Sequence, residues 1–441
     1  MISINRRFRA RPRTHEGARA VRFTPYEELR RTLMNCLLWE DQFYEDGVSI
    51  AERIAGLVAK VEPDEAAELA ISAREEMRLR HAPLLVVREM ARYPRHRALV
   101  AETLARVVQR PDELTEFLAI YWADAIGPQQ QRKRHPVSAQ AKKGLARALT
   151  KFDAYQLAKY DRDGPVRLRD VLFLVHAKPK DAEQEKVWKA LVDGTLHSPD
   201  TWEVSLSAGK DKRETFERLI TEKKLGGLAL LRNLRLMTNA GVPRRTIAEA
   251  IAAMRTDRIL PYRFIAAARY APDFEPELEE AMLRSVRDHP PLPGRTRLLI
   301  DVSGSMEGLL SRQSEMTRLE AACGLAILAR EVCESVEVFT FSNTVKKLGS
   351  RRGFALRDAI VASQPHAGTM LGEALRKVDR SAPRLIVFTD EQSHDAVPAP
   401  RGLGYMVNVA SYKHGVSRGP WRRVDGFSEA IIGWIAATES G

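Results

Sequence analysis

Apolar residues recur at i, i+3, i+4 and i+7 through most of the first 290 positions. LRRTLMNCLLW, AERIAGLVAKV, DEAAELAISAREEM, PLLVVREMARY and RALVAETLARVVQ each lay one apolar stripe along a helix. Strand-like alternation is nearly absent between Tyr26 and His289. Short punctuators separate the periodic stretches: Pro63, Pro83, Pro94, Pro111, the Gly127-Pro128 and Gly164-Pro165 pairs, Pro199 and Pro243. Pro63 and Pro111 are each followed by an aspartate, which suits a helix start. Short helices joined by short connections predict an α-solenoid of stacked antiparallel pairs over residues 26–288. At about 40 to 47 residues per HEAT-like unit, that length holds about six or seven units. No strict internal repeat is visible, so this reading rests on helix spacing. Two stretches break the pattern and are candidate binding loops. QQQRKRHPVSAQAKK (129–143) is basic and polar, and residues 193–210 contain TWEVSLSAGK, the least helical piece of this half.

The period changes at His289. HPPLPGRT (289–296) reads as a rigid proline-rich hinge between domains. Beyond it, strands are expected over Arg297–Val302, Val336–Phe341, Arg384–Thr389 and Gly404–Val409. Helices are expected over Glu315–Cys333, Phe354–Ala362, Leu371–Val378 and Phe427–Ala436. Such alternation predicts a doubly wound α/β domain with a mostly parallel sheet over 297–441. Residues 1–25 precede both domains as a basic arm.

Composition narrows the possibilities. A chain of 441 residues is expected to hold two or three domains. No apolar run reaches the roughly 18 residues of a membrane span. MISINRRFRARPR has no apolar stretch behind its basic residues, so a cytoplasmic location is expected. Three cysteines, Cys36, Cys323 and Cys333, lack paired spacing and read as buried reduced thiols. The net charge of +12, with nine arginines and no lysine in the first 31 residues, points to phosphate polyanions as partners.

The chemistry-bearing stretch is LLIDVSGSM (298–306). A buried strand runs into a loop with Asp301, Ser303 and Ser305 at i, i+2 and i+4. Carboxylate and hydroxyl oxygens suit a small hard cation, so this is a candidate Mg2+ site. AGTM adds Thr369 on a loop before a helix, and LIVFTDEQSHD adds Asp390 directly after a strand. Ser303, Ser305 and Thr369 are expected to bind directly, with Asp301 and Asp390 acting partly through water. That leaves a position for an acidic group of a protein partner. Catalysis is not expected. Ser303 stands where an aspartyl phosphatase carries its second carboxylate, and neither G-x-S-x-G nor G-x-x-x-x-G-K-[ST] is present at this loop. His394, close after Asp390, is the one candidate general base.

DVSGSM, AGTM and FTDEQSHD resemble the metal-ion-dependent adhesion site of a von Willebrand factor A domain, with Asp301, Ser303, Ser305, Thr369 and Asp390 at its five ligand positions. The order of helical array then A domain, together with TWEVSLSAGK, LGGLALLRNLRLM and WRRVDGFSEAII, resembles the Ro autoantigen proteins and their bacterial orthologues, which carry a TROVE module. That resemblance covers nearly the whole chain. It implies a monomeric ring of HEAT-like repeats closed by the A domain. It also implies binding of single-stranded 3′ ends of misfolded noncoding RNA, of Y RNA on the outer surface, and of an exoribonuclease tethered through such RNA. By the match of LAKYDRDGPVRLRDVLFLVHAKP (157–179), Lys159 and His176 carry over as RNA contacts. A further basic position of the family falls near Asp163 here.

On charge alone, Lys159, Arg162, Arg167 and Arg169 surround one turn where they could hold a phosphate backbone, and His176 ends the helix that follows. Arg132, Lys133, Arg134, Lys142 and Lys143 form a second basic set. The alternative reading is a Mg2+-dependent protein-adhesion module with RNA secondary.

Overall fold

The computed structural model describes residues 12–36, 46–123, 136–256, 259–289, 291–310, 316–379 and 383–440. The chain divides into two compact units. One runs from Pro25 to Arg287 apart from 42–45, and the other gathers the residues up to Thr24 with those from Asp288 onward.

Between Pro25 and Arg284 the first unit holds sixteen α-helices among the described residues, most of 10 to 13 residues. Local chemistry sets many of their starts. Asp46, Ser138, Asp153, Asp181, Thr201 and Asp211 each accept a backbone N–H of the first turn. Helices this short cannot bury an apolar stripe alone, so they stack. Pro63–Glu75 packs on both His81–Arg92 and Arg97–Val107, His81–Arg92 on Asp112–Trp122, and Arg97–Val107 on Ala139–Leu149. The same next-but-one pairing joins Gly227–Asn239 to Pro261–Tyr270 and Arg244–Ala253 to Glu275–Arg284. Several of these helices therefore pack on a next-but-one neighbour as well as on an adjacent helix.

Both expected loops differ from the sequence reading. Thr201 caps Trp202–Ser207, so TWEVSLS is a short helix. Its β-branched and polar residues lower helix propensity, and the cap with Trp202 stacked on Phe216 overrides it. Lys142 and Lys143 sit on the helix Ala139–Leu149, started by Ser138, rather than in a connection. Arg132, Lys133 and Arg134 lie outside the described residues.

The second unit is built on six strands: β1 Leu292–Asp301, β2 Cys333–Phe341, β3 Val345–Lys347, β4 Arg384–Thr389, β5 Leu403–Asn408 and β6 Arg422–Asp425. They lie in the order β3-β2-β1-β4-β5-β6, parallel except for the antiparallel edge pair β2 and β3. Leu299, Leu385, Val387 and Met406 on one face pack with Leu371, Leu375 and Val378 of the helix Leu371–Val378. Leu298 and Ile300 alternate to the other face and are fully buried, where the helix Arg318–Val332 covers β1, β2 and β4 and meets Gly353–Val361 and Ala430–Ser440. The chain leaves β1 toward β2 on one side and returns to β4 on the other, which opens a crevice at the carboxyl ends of β1 and β4.

Three features depart from the sequence reading. The segment expected as a hinge over 289–296 is half strand, because β1 begins at Leu292 and slips register before Arg295, where Gly294 has a φ of +77°. β3 and β6 are only three and four residues long and carry Lys346, Lys347, Arg422 and Arg423, so they lack an apolar alternation to read. The described part of the basic arm, residues 12–24, packs into this unit. Thr14 Oγ1 donates to the Ser393 carbonyl at 2.7 Å, the His15 N–H to Gln392 Oε1 at 2.9 Å, and the Val21 N–H to the Gly415 carbonyl at 2.9 Å. Among the described residues no helix is long and apolar enough to cross a membrane, and the three cysteines are buried and form no disulfide.

Gly144 lets two helices of the first unit approach closely. A methyl placed there would sit 2.9 Å from the Leu104 Cβ and 3.0 Å from the Ala101 carbonyl oxygen. Gly144→Ala is therefore expected to destabilise the protein by about 1 to 3 kcal/mol despite alanine's better helix propensity. Urea denaturation followed by circular dichroism checks this. An unchanged or higher midpoint would refute the close packing.

Candidate functional site

At the carboxyl end of β1 the Asp301 carboxylate is fully buried. Its Oδ1 accepts the Ser303 N–H at 2.9 Å and its Oδ2 accepts the Thr389 hydroxyl at 2.6 Å. Thr389 in turn accepts the Glu391 N–H at 3.0 Å, and Asp390 Oδ1 accepts the Gln392 N–H at 3.0 Å. The Ser303 and Ser305 hydroxyls lie 3.3 Å apart. Backbone bonds stitch the three loops together. The Gly304 N–H donates to the Ala367 carbonyl, and the His394 N–H to the Thr369 carbonyl, each at 2.9 Å. All five sequence-predicted ligand residues are thereby gathered in one crevice, none more than 6% exposed. Arg318, itself buried, donates from Nη1 to the Ser305 carbonyl at 3.2 Å and braces the first loop.

Burial first, and then the charge of Asp390, push the Asp301 carboxyl up to about 7. Two acids forced together out of water are a place where positive charge is welcome. The donors are carboxylates and hydroxyls. Among the described residues no group of three or more His, Cys, Asp or Glu gathers in a metal-holding arrangement. An all-oxygen set of this kind fits a hard divalent cation and disfavours zinc or copper. His394 is engaged on both ring nitrogens: Nδ1 accepts the Thr369 N–H at 3.1 Å, and Nε2 lies 2.8 Å from Glu16 Oε2. It positions the Thr369 loop against the arm rather than standing open as a general base.

The RNA candidates fall in the helical unit. Lys159 and Arg162 line a groove of about 600 Å³ together with Arg110, Lys224, Arg232 and Arg255, and with the aromatic rings of Tyr155, Tyr160 and Trp202. Some of this charge is committed elsewhere. Arg110 pairs with Asp112 at 2.7 Å and lies 4.6 Å from the Tyr160 ring centroid, while Lys224 pairs with Asp200 and Glu222. Lys159, Arg162 and Arg232 have no carboxylate partner among the described residues. A second cavity of about 270 Å³ shares Leu228 and Arg232 with the groove and adds Arg235, Arg263 and Tyr270, so the basic track continues along the helix Gly227–Asn239. Of the other predicted residues, Arg167 pairs with Asp163 at 2.6 Å, Arg169 and His176 are exposed, and none of the three lines the groove. His176 closes the helix Leu168–Val175 with a left-handed φ of 50°. Lys142 and Lys143 are likewise absent from the lining. Arg232 lies in the groove but outside the sequence-predicted set. Its signal was available in LGGLALLRNLRLM, where Arg232 and Arg235 are polar intruders at i and i+3 on a helix whose other face is leucine and methionine.

A helical array joined to a sheet with an oxygen-lined crevice defines a two-unit class of protein. The TROVE domain family matches residues 22–195 and 193–319, more than half of the chain, and the chain belongs to that family. Its fold is similar to the crystal structure of the RO (RSR) protein of Deinococcus radiodurans. The TM-score is 0.58 at 20% identity, covering 94% of this chain and 100% of that one. No curated protein sequence matches. Family and fold thus agree on a TROVE-domain architecture for this chain.

The raised Asp301 carboxyl has a stability consequence. An unfolded chain ionises this group near pH 4, whereas the folded protein without cation keeps it protonated up to about pH 7. Above the lower value the unfolded state gains by ionising, so the folded state loses stability as pH rises through that window. In EDTA, melting temperatures measured from pH 4.5 to about 7.5 should therefore fall more steeply for the native sequence than for Asp301→Asn. Parallel curves would refute a buried, cation-starved carboxylate pair.

Proposed function

We propose that this protein binds single-stranded ends of noncoding RNA in the groove of its helical unit and scaffolds RNA quality control or processing without catalysing a reaction. The observation that carries this reading is the groove itself. Lys159, Arg162 and Arg232, three cations without carboxylate partners, stand beside Tyr155, Tyr160 and Trp202. Basic tracks with interleaved aromatic rings suit a single strand, because phosphates meet the cations while bases find flat faces whatever their identity. The helical unit is read as a HEAT-like solenoid on the strength of its next-but-one packing. The chain's membership of the TROVE family and its resemblance to Ro proteins favour an RNA ligand, with Y-like RNA and a tethered exoribonuclease as further partners to test.

In the α/β unit, read as von Willebrand factor A-like, Asp301, Ser303, Ser305, Thr369 and Asp390 would hold Mg2+. The cation would supply an electrophilic docking point for an acidic partner residue. This chain's own residues do the positioning: Thr389 and the Ser303 amide orient Asp301, and Arg318 and His394 fix the flanking loops.

Sequencing of RNA that copurifies with the protein tests the main reading. Binding of a stem with a single-stranded 3′ overhang should weaken steeply with salt. Lys159→Glu with Arg232→Glu should cost at least about tenfold in affinity and lower the log–log salt slope by about one to two units. Retained affinity in that variant, or no enriched RNA in the native protein, would refute it. For the cation, Mg2+ is expected to raise the melting temperature of the native protein and not of Asp301→Ala. Equal responses would remove the metal from the account.

A further inference from the structure

The arm and the α/β unit together form a second basic cavity, separate from the helical groove. It measures about 380 Å³ and is lined by Pro12, Arg19, Ala20, Val21, Arg22 and Arg418. Three of its six lining residues are arginines, and no carboxylate lines it. Arg19 and Arg418 have no carboxylate partner among the described residues. Backbone bonds hold the walls, and the Arg418 guanidinium adds a donation to the Arg19 carbonyl at 3.5 Å. The Ala20 N–H donates to the Pro12 carbonyl and the Val21 N–H to the Gly415 carbonyl, each at 2.9 Å. On the far side Glu391 accepts the Val416 N–H at 2.9 Å and the Ser417 hydroxyl at 2.8 Å, fixing the loop that presents Arg418.

Like charges gathered this way repel unless an anion sits among them, and nothing in the lining supplies one. Guanidinium forks match the paired oxygens of phosphate, and a doubly charged phosphate group gains more from the Arg19 and Arg418 guanidiniums than a carboxylate does. The volume falls within the range of about 300 to 1,000 Å³ typical of small-ligand sites, so it exceeds what a bare ion needs. No aromatic ring lines the cavity, so a base has no face to stack on there. We infer that this cavity is a phosphate-binding site of the α/β unit, recognising the phosphate of a nucleic-acid backbone or terminus, or free phosphate, without regard to base.

The full-length protein carrying Lys159→Glu and Arg232→Glu isolates this site from the groove. In that background, inorganic phosphate and a fluorescent 5′-phosphorylated oligouridylate are titrated separately, with and without Arg19→Glu, Arg22→Glu and Arg418→Glu. The oligonucleotide should retain salt-sensitive binding that the three reversals abolish, with a loss of at least about tenfold and a slope lower by about two units, at roughly 0.7 per phosphate contact. Saturable binding of inorganic phosphate, lost in the same variant, would identify free phosphate as a ligand. Arg418→Gln alone, on a side chain outside the arm, should give a partial loss and guards against misfolding of the triple variant. If neither probe binds in the groove-disabled background, or if binding survives both sets of arginine changes in protein that still melts cooperatively, the inference is wrong. Because the phosphate arm uses no RNA, its outcome is independent of whether the helical groove binds RNA.

Discussion

Two carboxylates, Asp301 and Asp390, end adjacent parallel strands and are both fully removed from water. Burying such charge is expensive, and leaving both ionised without compensation is more expensive still. The surrounding architecture follows from that cost. Thr389 and the Ser303 amide satisfy the Asp301 oxygens, the Gln392 amide satisfies one of Asp390, and the loops that carry the three hydroxyls are tied to each other through their backbones. Glu391 shows how tightly the geometry is set. It holds a left-handed φ of 60°, unusual for a residue with a side chain, and its carboxylate is spent on Val416 and Ser417 instead of joining its neighbour in the crevice. Adjacent acids thus serve separate purposes, one lining the crevice and the other pinning a loop.

The same economy governs the helical unit, where no single helix is long enough to stand alone. Packing there is local, between neighbours and next-but-one neighbours, and it leaves polar faces available. Arg232 and Arg235 occupy such a face on the helix Gly227–Asn239, whose opposite side is buried through Leu230, Leu231, Leu234 and Met237. Burial and charge are therefore separated on one element, and the groove is the result.

Much of this was legible in the chain because it depends on short-range pattern. Helical period, the change at His289, the strand Arg384–Thr389 and the helix Leu371–Val378 were all readable from alternation and caps. The grouping of Asp301, Ser303, Ser305, Thr369 and Asp390 was readable because each stands at or just after the end of an apolar strand or just before a helix. The groove was not. Arg110, Lys159, Trp202, Lys224 and Arg232 come from separate helices, and nothing local announces that stacking brings them together. Conversely, Arg167, Arg169 and His176 are near Lys159 in sequence but do not line its groove, and Arg167 is held by Asp163 instead. The docking of the arm was invisible for the same reason: its partners, Gln392, Ser393 and Gly415, lie hundreds of positions away.

That docking sets a timetable for biosynthesis. Thr14 hydrogen-bonds across a separation of 379 residues to Ser393. At translation rates of about 5 to 20 residues per second, the arm emerges roughly 20 to 80 seconds before its seat exists. The helical unit, with its short-range contacts, can assemble during that interval. The α/β unit cannot be completed until both distant segments are out of the ribosome, so the strongly basic arm spends the interval without the surface on which it folds.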